Sequence, residues 1–376
     1  MAGIYLHIPF CESRCVYCDF FSTTGQETRR VDYVRALVRE LELRRHYAED
    51  EPVGSIYFGG GTPSILPVED LRLIFEQIDR IFTVLPDAEI TIEANPDDLT
   101  PDYLLALSGL PVDRISMGVQ SFYDEDLRKL NRRHTAAQAL QAVKDCREVG
   151  FENLSIDLIY GLPGQTAEEW EHNLDVALSL RVPHISAYHL TYEEGTPIYR
   201  QLLAGKVTPV SEDTSLKLFN MLTDRLRGAG YLHYEISNFC LPGAFARHNR
   251  SYWEGVKYLG VGAGAHSYNG RQRQWNVASL PLYIRGIESG QPEVTREELT
   301  AEMRYNEFVM THLRTMWGVD LEMLAREVGE EWWSYCLRQA QPYLGANRLI
   351  LTDNHLILAP DALFISDSIL TDLMCV

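Results

Sequence analysis

The chain has 376 residues, 45% hydrophobic and 23% charged, with a formal net charge of −19 at pH 7, a balance typical of globular proteins and a length sufficient for two or three domains. So acidic a chain is not a general nucleic-acid binder, which needs a basic face. No stretch approaches the ~20 apolar residues of a membrane span, and the start, MAGIYLHIPF, has no basic region ahead of an apolar one, so a cytoplasmic location is expected.

Along the first half, short β-branched or aromatic runs alternate with helical patterns. Strands are predicted at residues 4–8, 55–58, 89–93, 114–119, 154–159 and 184–190. Helices are predicted at residues 30–47, where Val31, Val34, Leu37, Val38 and Leu41 recur at helical spacing, and at 68–82. Strand-helix units in series imply an α/β fold, with a parallel sheet under helices, as a partial or full barrel or an open doubly wound sheet. Ligands of such sheets sit at the carboxyl ends of the strands. The sequence punctuates those ends with Cys11, Cys15 and Cys18, then Gly59 to Ser64, Glu93-Ala94-Asn95-Pro96, Gly118-Val119-Gln120-Ser121, and Asp157 ahead of Gly161-Leu162-Pro163-Gly164.

Beyond residue 240 the periodicity is irregular. We expect a first domain over 1–240, a glycine- and aromatic-rich connecting region of packed loops over 241–296, and a small helical domain over 297–376. Two short strands around Thr352-Asp353-Asn354 give that last domain a hairpin and a winged-helix-like character.

Seven cysteines are present, and Cys146, Cys240, Cys336 and Cys375 are far apart in sequence. In a reducing compartment the close-spaced trio is better suited to metal than to disulfides. A zinc loop completed by His7 or a distant cysteine is one option. The other is a 4Fe-4S cluster in which three thiolates hold three irons and the fourth iron stays open.

The spacing C-x3-C-x2-C after an initial strand resembles the signature of the radical S-adenosylmethionine (SAM) superfamily, and "GGGTP" resembles its glycine-rich loop. The resemblance implies a partial (β/α)6 barrel whose open iron chelates SAM. More narrowly, "FGGGTPS", "IEANP", "SMGVQSF", "NRRH", "IDLIYGLPGQT" and "EEGTP", with Tyr5 six positions before Cys11, resemble the oxygen-independent coproporphyrinogen III oxidases and their relatives. That family likeness implies that Tyr5, Gly60 and Glu93 contact the cluster-bound SAM. It also implies that Tyr17, Gly61, Thr62, Gln120, Arg132 and Asp157 match positions around a second SAM.

The oxidase pattern continues to a fourth cysteine, and here that position is Phe20. "CDF" instead resembles the HemW-type haem chaperones, as does His248-Asn249-Arg250-Ser251-Tyr252-Trp253, which matches an H-N-x-x-Y-W motif associated with haem. The resemblance implies haem binding through His248, Asn249, Tyr252 and Trp253, with His248 as the iron ligand and His266 as a competitor. Arg247, Arg250, Arg271 and Arg273 could pair with propionates. The expected function is delivery of haem to acceptor haemoproteins, including membrane-bound ones, with cluster and SAM organising or dimerising the protein. The rival is radical decarboxylation of coproporphyrinogen propionates to vinyls, and a third reading is a radical SAM enzyme with another substrate.

Overall fold

In a computed structural model, which describes residues 1–375, six parallel strands follow one another across the sheet in chain order: β1 (Ala2–Ile8), β2 (Val53–Gly60), β3 (Val84–Ala94), β4 (Arg114–Gln120), β5 (Leu154–Tyr160) and β6 (His184–His189). Between them run α1 (Arg30–Leu43), α2 (Val68–Ile81), α3 (Pro101–Leu107), α4 (Asp124–Lys129), α5 (Ala136–Val149) and α6 (Ala167–Leu180). Helix starts are set locally: Thr135 with Gln138, and Thr166 with Glu169, form capping boxes that satisfy the first free amides of α5 and α6. The strands alternate in period two. Ile4, Leu6, Ile56, Phe58, Ile92, Ile115, Met117 and Ile156 join one apolar core with the helices. The intervening Tyr5, His7, Ser55, Tyr57, Thr91, Glu93, Arg114, Ser116, Ser155 and Asp157 therefore point to the opposite, concave face, which makes the lumen polar.

The sheet does not close. After β6 come α7 (Pro197–Leu203), α8 (Glu212–Gly228), β7 (Leu232–His233) and β8 (Asn238–Cys240), and β8 adds antiparallel to β6. The region expected as packed loops is largely regular. It forms α9 (Arg247–Trp253), β9 (Tyr258–Val261), β10 (His266–Tyr268), β11 (Gln272–Asn276), α10 (Leu280–Glu288) and β12 (Val294–Glu298). β9 pairs parallel with β1, and β10, β11 and β12 extend that edge antiparallel, giving twelve strands in all. Its strands are only three to five residues long, too short to stand out among glycines and aromatics.

A buried carboxylate secures this second edge. Glu40 on α1 is fully enclosed and accepts from Arg44 Nη1 at 3.0 Å, Gly262 N at 2.9 Å, Asn276 Nδ2 at 2.8 Å and Tyr283 OH at 2.6 Å. The chain ends in a separate apolar cluster built from α11 (Ala301–Leu313), β13 (Val319–Asp320), α12 (Leu321–Glu327), α13 (Glu330–Gly345), β14 (Leu349–Thr352), β15 (His355–Leu358) and α14 (Ser366–Leu373). β13 and β14 flank β15 in a small antiparallel sheet. This unit meets the main sheet through α9, where the Arg250 guanidinium lies 4.5 Å from the centre of the Trp317 ring.

Removing the Glu40 carboxylate leaves Arg44 without its buried counter-charge and orphans the donors of Gly262, Asn276 and Tyr283, so Glu40→Ala is expected to lose about 3–5 kcal/mol. Urea unfolding of the variant beside the unaltered protein measures it, and a loss below about 1 kcal/mol would contradict this account.

Candidate functional site

The carboxyl ends of β1 to β5 gather the sequence-expected residues at one rim. The loop after β1 carries Cys11, Cys15 and Cys18, all free thiols, and the glycine loop after β2 lies directly on it. Gly61 N donates to Ile8 O at 2.8 Å and Thr62 N to Phe10 O at 2.9 Å. Gly60 has φ +109°, and a Cβ there would stand 2.6 Å from the His7 ring; a Cβ on Gly61 would stand 2.8 Å from the carbonyl oxygens of Ile8 and Phe10. Gly60 is thus required by its left-handed conformation and Gly61 by backbone contact.

The thiols suit an iron-sulfur cluster by the groups around them. Thr62 Oγ1 donates to Cys11 Sγ at 3.4 Å and Arg132 Nη1 to Cys15 Sγ at 3.3 Å, contacts that favour thiolates. Burial pushes the Cys11 thiol up and that of Cys18 up to about 11, so bound iron would be what deprotonates them. Among the described residues no three His, Cys, Asp or Glu side chains close around a single ion.

Arg132 is held between Asn95 Oδ1 and Gly118 O, the latter at 2.5 Å, and its buried Nε has no protein partner. Tyr17 sits beside Arg132, Cys15 and Cys18. Gln120 lies at the end of β4 with φ +69°, where the pairing with β5 shifts register; such a conformation in a non-glycine residue is a feature of binding sites. An added Cβ at Gly118 would lie 3.0 Å from Gln120 Nε2 and 3.1 Å from Arg132 Nη2.

Below the rim, Glu93 accepts from Tyr57 OH at 2.8 Å and from Gly60 N at 3.1 Å. Burial raises its carboxyl to about 7 and that of Asp157 to about 6, while Arg114 pulls both the other way. Arg114 is almost completely enclosed, with Nε and Nη1 unpaired by protein groups. Tyr5 OH meets His7 Nδ1 at 3.1 Å, and His7 Nε2 donates to Phe21 O at 2.8 Å. Tyr57 and Arg114 were missed from the sequence, while Asn95 was placed at the rim and His7 was named only as an option for a zinc loop; alternation along β2, opposite Tyr5 on β1, is the signal that could have found Tyr57.

The structure places His248, expected as a haem ligand, within the protein. The residue lies on α9, fully buried beneath the lumen, and both ring nitrogens are engaged: Nδ1 with Ser55 Oγ at 2.8 Å and Nε2 with Tyr252 OH at 2.9 Å. The ring stacks on Tyr57 at 5.0 Å, and burial lowers its pKa to about 3. Asn249 and Trp253 are half-buried on the same helix. Of the arginines expected near propionates, Arg247 pairs with Asp87 and Arg250 with Glu254, while Arg273 pairs with Glu297 and Glu307. His266 is exposed and stacks on Trp275 at 5.6 Å.

Comparison with known proteins adds a family context. The model of the radical SAM superfamily matches residues 5–177, and that of the HemN C-terminal domain matches 299–365. The chain is 34% identical over 361 residues to the haem chaperone HemW of Mycobacterium tuberculosis, covering 95% of this chain and 92% of that one. It is 37% identical over 331 residues to the haem chaperone HemW of Bacillus subtilis, covering 88% and 87%. The solved structure of the coproporphyrinogen III oxidase HemN of Escherichia coli superposes with a TM-score of 0.85 at 23% identity, covering 99% and 90%, a likeness of fold.

Anaerobic reconstitution with iron and sulfide is expected to give the broad charge-transfer absorption of a 4Fe-4S cluster, lost in Cys11→Ala, Cys15→Ala and Cys18→Ala and kept in Cys146→Ala. A full signal in Cys15→Ala would remove that ligand from the assignment. In cluster-free protein, Glu93 binds a proton when folded at pH values where the unfolded chain, with a carboxyl near 4.5, has released it. Stability from this group is therefore full below about pH 4.5 and falls as pH rises through about 7, by on the order of 3 kcal/mol. Urea titrations at pH 5 and pH 8 should show a smaller drop in Glu93→Gln than in the unaltered protein; equal drops would contradict it.

Proposed function

Since this chain belongs to the radical SAM superfamily and, within it, to the family of the HemW haem chaperones, we propose that it binds haem and hands it to acceptor haemoproteins, soluble or membrane-bound. The observation that carries this reading over the oxidase is Phe20. It stands where the oxidase pattern has a fourth cysteine, and its side chain is 63% exposed beside the cluster loop. Similarity to the chaperones along nearly the whole chain supports the same choice.

Cys11, Cys15 and Cys18 hold a 4Fe-4S cluster in this reading, with Thr62 and Arg132 donating to two of the thiolates. When bound, the cluster can supply an electron to SAM. Tyr5, Gly60 and Glu93 bind that SAM, the carboxylate of Glu93 being able to accept from two ribose hydroxyls. Tyr17, Gly61, Thr62, Gln120, Arg132 and Asp157 complete the polar rim, and the unpaired Nε of Arg132 is suited to a carboxylate. Haem transfer itself needs no radical. His248 serves to fix α9 against β2 and to aim Tyr252, whose hydroxyl it binds.

Under anaerobic conditions with cluster and SAM but no added reductant, the protein should bind ferric haem stoichiometrically, with a Soret band that saturates, and should transfer it to an apo-haemoprotein. With a strong reductant added in place of haem, it should form no protoporphyrinogen from coproporphyrinogen III. Catalytic product formation would establish the oxidase instead.

A further inference from the structure

The segment Leu130-Asn131-Arg132-Arg133, between α4 and α5, runs alongside the cysteine loop and holds it through each of its members. Leu130 O accepts from Val16 N at 3.2 Å, and Asn131 Nδ2 donates to Arg14 O at 2.8 Å. Arg132 Nη1 donates to Cys15 Sγ at 3.3 Å, and Arg133 Nη1 donates to a carboxylate oxygen of Glu12. The end of α4 fixes where these side chains leave the backbone. Asn131 is left-handed at φ +60°, and the amides of Asn131 and Arg132 return to Arg128 O at 3.1 Å and Leu127 O at 2.8 Å, the hydrogen bonding of a Schellman helix end.

The two arginines take opposite directions. Arg132 turns inward to Cys15, Asn95 and Gly118. Arg133 turns outward into a group of carboxylates, where Nη2 lies 2.7 Å from Asp98 Oδ1 and 3.3 Å from Asp97 Oδ2 while Nη1 reaches Glu12. Asp98 is itself anchored, since its Oδ2 accepts from Ser64 Oγ at 2.6 Å, and Ser64 Oγ accepts from Asn95 N at 3.2 Å. One guanidinium thus joins the loops that follow β1, β2, β3 and β4. Among the described residues it is the one cation at ion-pair distance from Glu12, Asp97 and Asp98, so without it three negative charges face one another unneutralised.

We propose that residues 130–133 are a clasp that sets the cysteine loop before iron binds, closed by the ion pair of Arg133 with Glu12, and that the lifetime of a bound cluster depends on that pair. The proposal rests on the assignment of Cys11, Cys15 and Cys18 to a 4Fe-4S cluster. Ordering a free loop opposes binding. A loop already held at Glu12, Arg14, Cys15 and Val16 has lost much of that freedom before the metal arrives. Arg133 touches no thiol and acts through Glu12, the neighbour of Cys11, which makes it a positioning residue.

The test follows the decay of the charge-transfer absorption of cluster-loaded protein, under anaerobic conditions, in excess bathophenanthroline disulfonate as iron chelator. Arg133→Gln should lose its cluster about three- to fivefold faster than the unaltered protein, the scale of one partly exposed ion pair, with the starting spectrum unchanged. Arg133→Lys should fall between the two. The double variant Glu12→Gln, Arg133→Gln should outlast Arg133→Gln alone, because it removes a carboxylate from the unneutralised group. Added salt should shorten the lifetime in the unaltered protein and not in Arg133→Gln. In cluster-free protein, amide hydrogen exchange over residues 12–16 should be faster in Arg133→Gln, with exchange in the terminal helical unit unchanged.

Equal lifetimes and equal exchange in Arg133→Gln and the unaltered protein would overturn the clasp. A double variant no longer-lived than Arg133→Gln would remove Glu12 as its closure. If the unaltered protein assembles no 4Fe-4S cluster, the cluster assignment fails, and exchange in the cluster-free protein still decides whether residues 130–133 order the loop.

Discussion

The close approach of the glycine loop to the cysteine loop is the contact on which the rest of the rim depends. Two backbone hydrogen bonds, from Gly61 and Thr62 to Ile8 and Phe10, align the end of β2 against the end of β1. Neither Gly60 nor Gly61 could carry a side chain without displacing His7 or the backbone beneath it. That register brings Thr62 to Cys11 and sets the amide of Gly60 against Glu93. A cluster ligand, the backbone that faces it and a lumen carboxylate are thereby placed by one strand-to-strand contact, before any cofactor contributes.

The polar concave face is the second constraint, and it is costly. Buried charges require partners or a shifted protonation state. Glu93 and Asp157 respond with raised pKa values, and Arg114 stands among them as the compensating cation. Such an arrangement is poor for stability and well suited to a polar guest, because binding can supply the interactions that the empty scaffold leaves incomplete. Stability comes instead from the outer apolar core and from networks such as that of Glu40, which are remote from the rim.

How much was legible in the sequence follows from which residues carry regular patterns. The six parallel strands and the helices α1 and α2 lie close to where period-two and 3.6-residue spacing put them, since each buries a continuous apolar face. The short strands β9 to β12 escaped because their pairing is fixed by long-range contacts: β9 is recruited by β1, some 255 residues earlier in the chain, and Glu40 closes that edge from α1. The rim residues were legible because motif spacing reflects backbone geometry. The burial of His248 was not legible, since a motif gives residue types without orientation, and that burial depends on Ser55 and Tyr57 in a distant strand.

That burial also changes what the H-N-x-x-Y-W segment contributes. From Gly60 a continuous run of contacts descends through Glu93 and Tyr57 to His248, and from there passes to Tyr252. The run consists of hydrogen bonds and one ring stack between groups that are enclosed on most sides, so displacement of one member leaves a neighbour unsatisfied. A helix of seven residues, α9, thus ties the floor of the barrel to the terminal helical unit, which it meets where Arg250 lies over Trp317. The imidazole of His248, bonded on both nitrogens, joins the two, because a ring held at both ends transmits the position of one neighbour to the other.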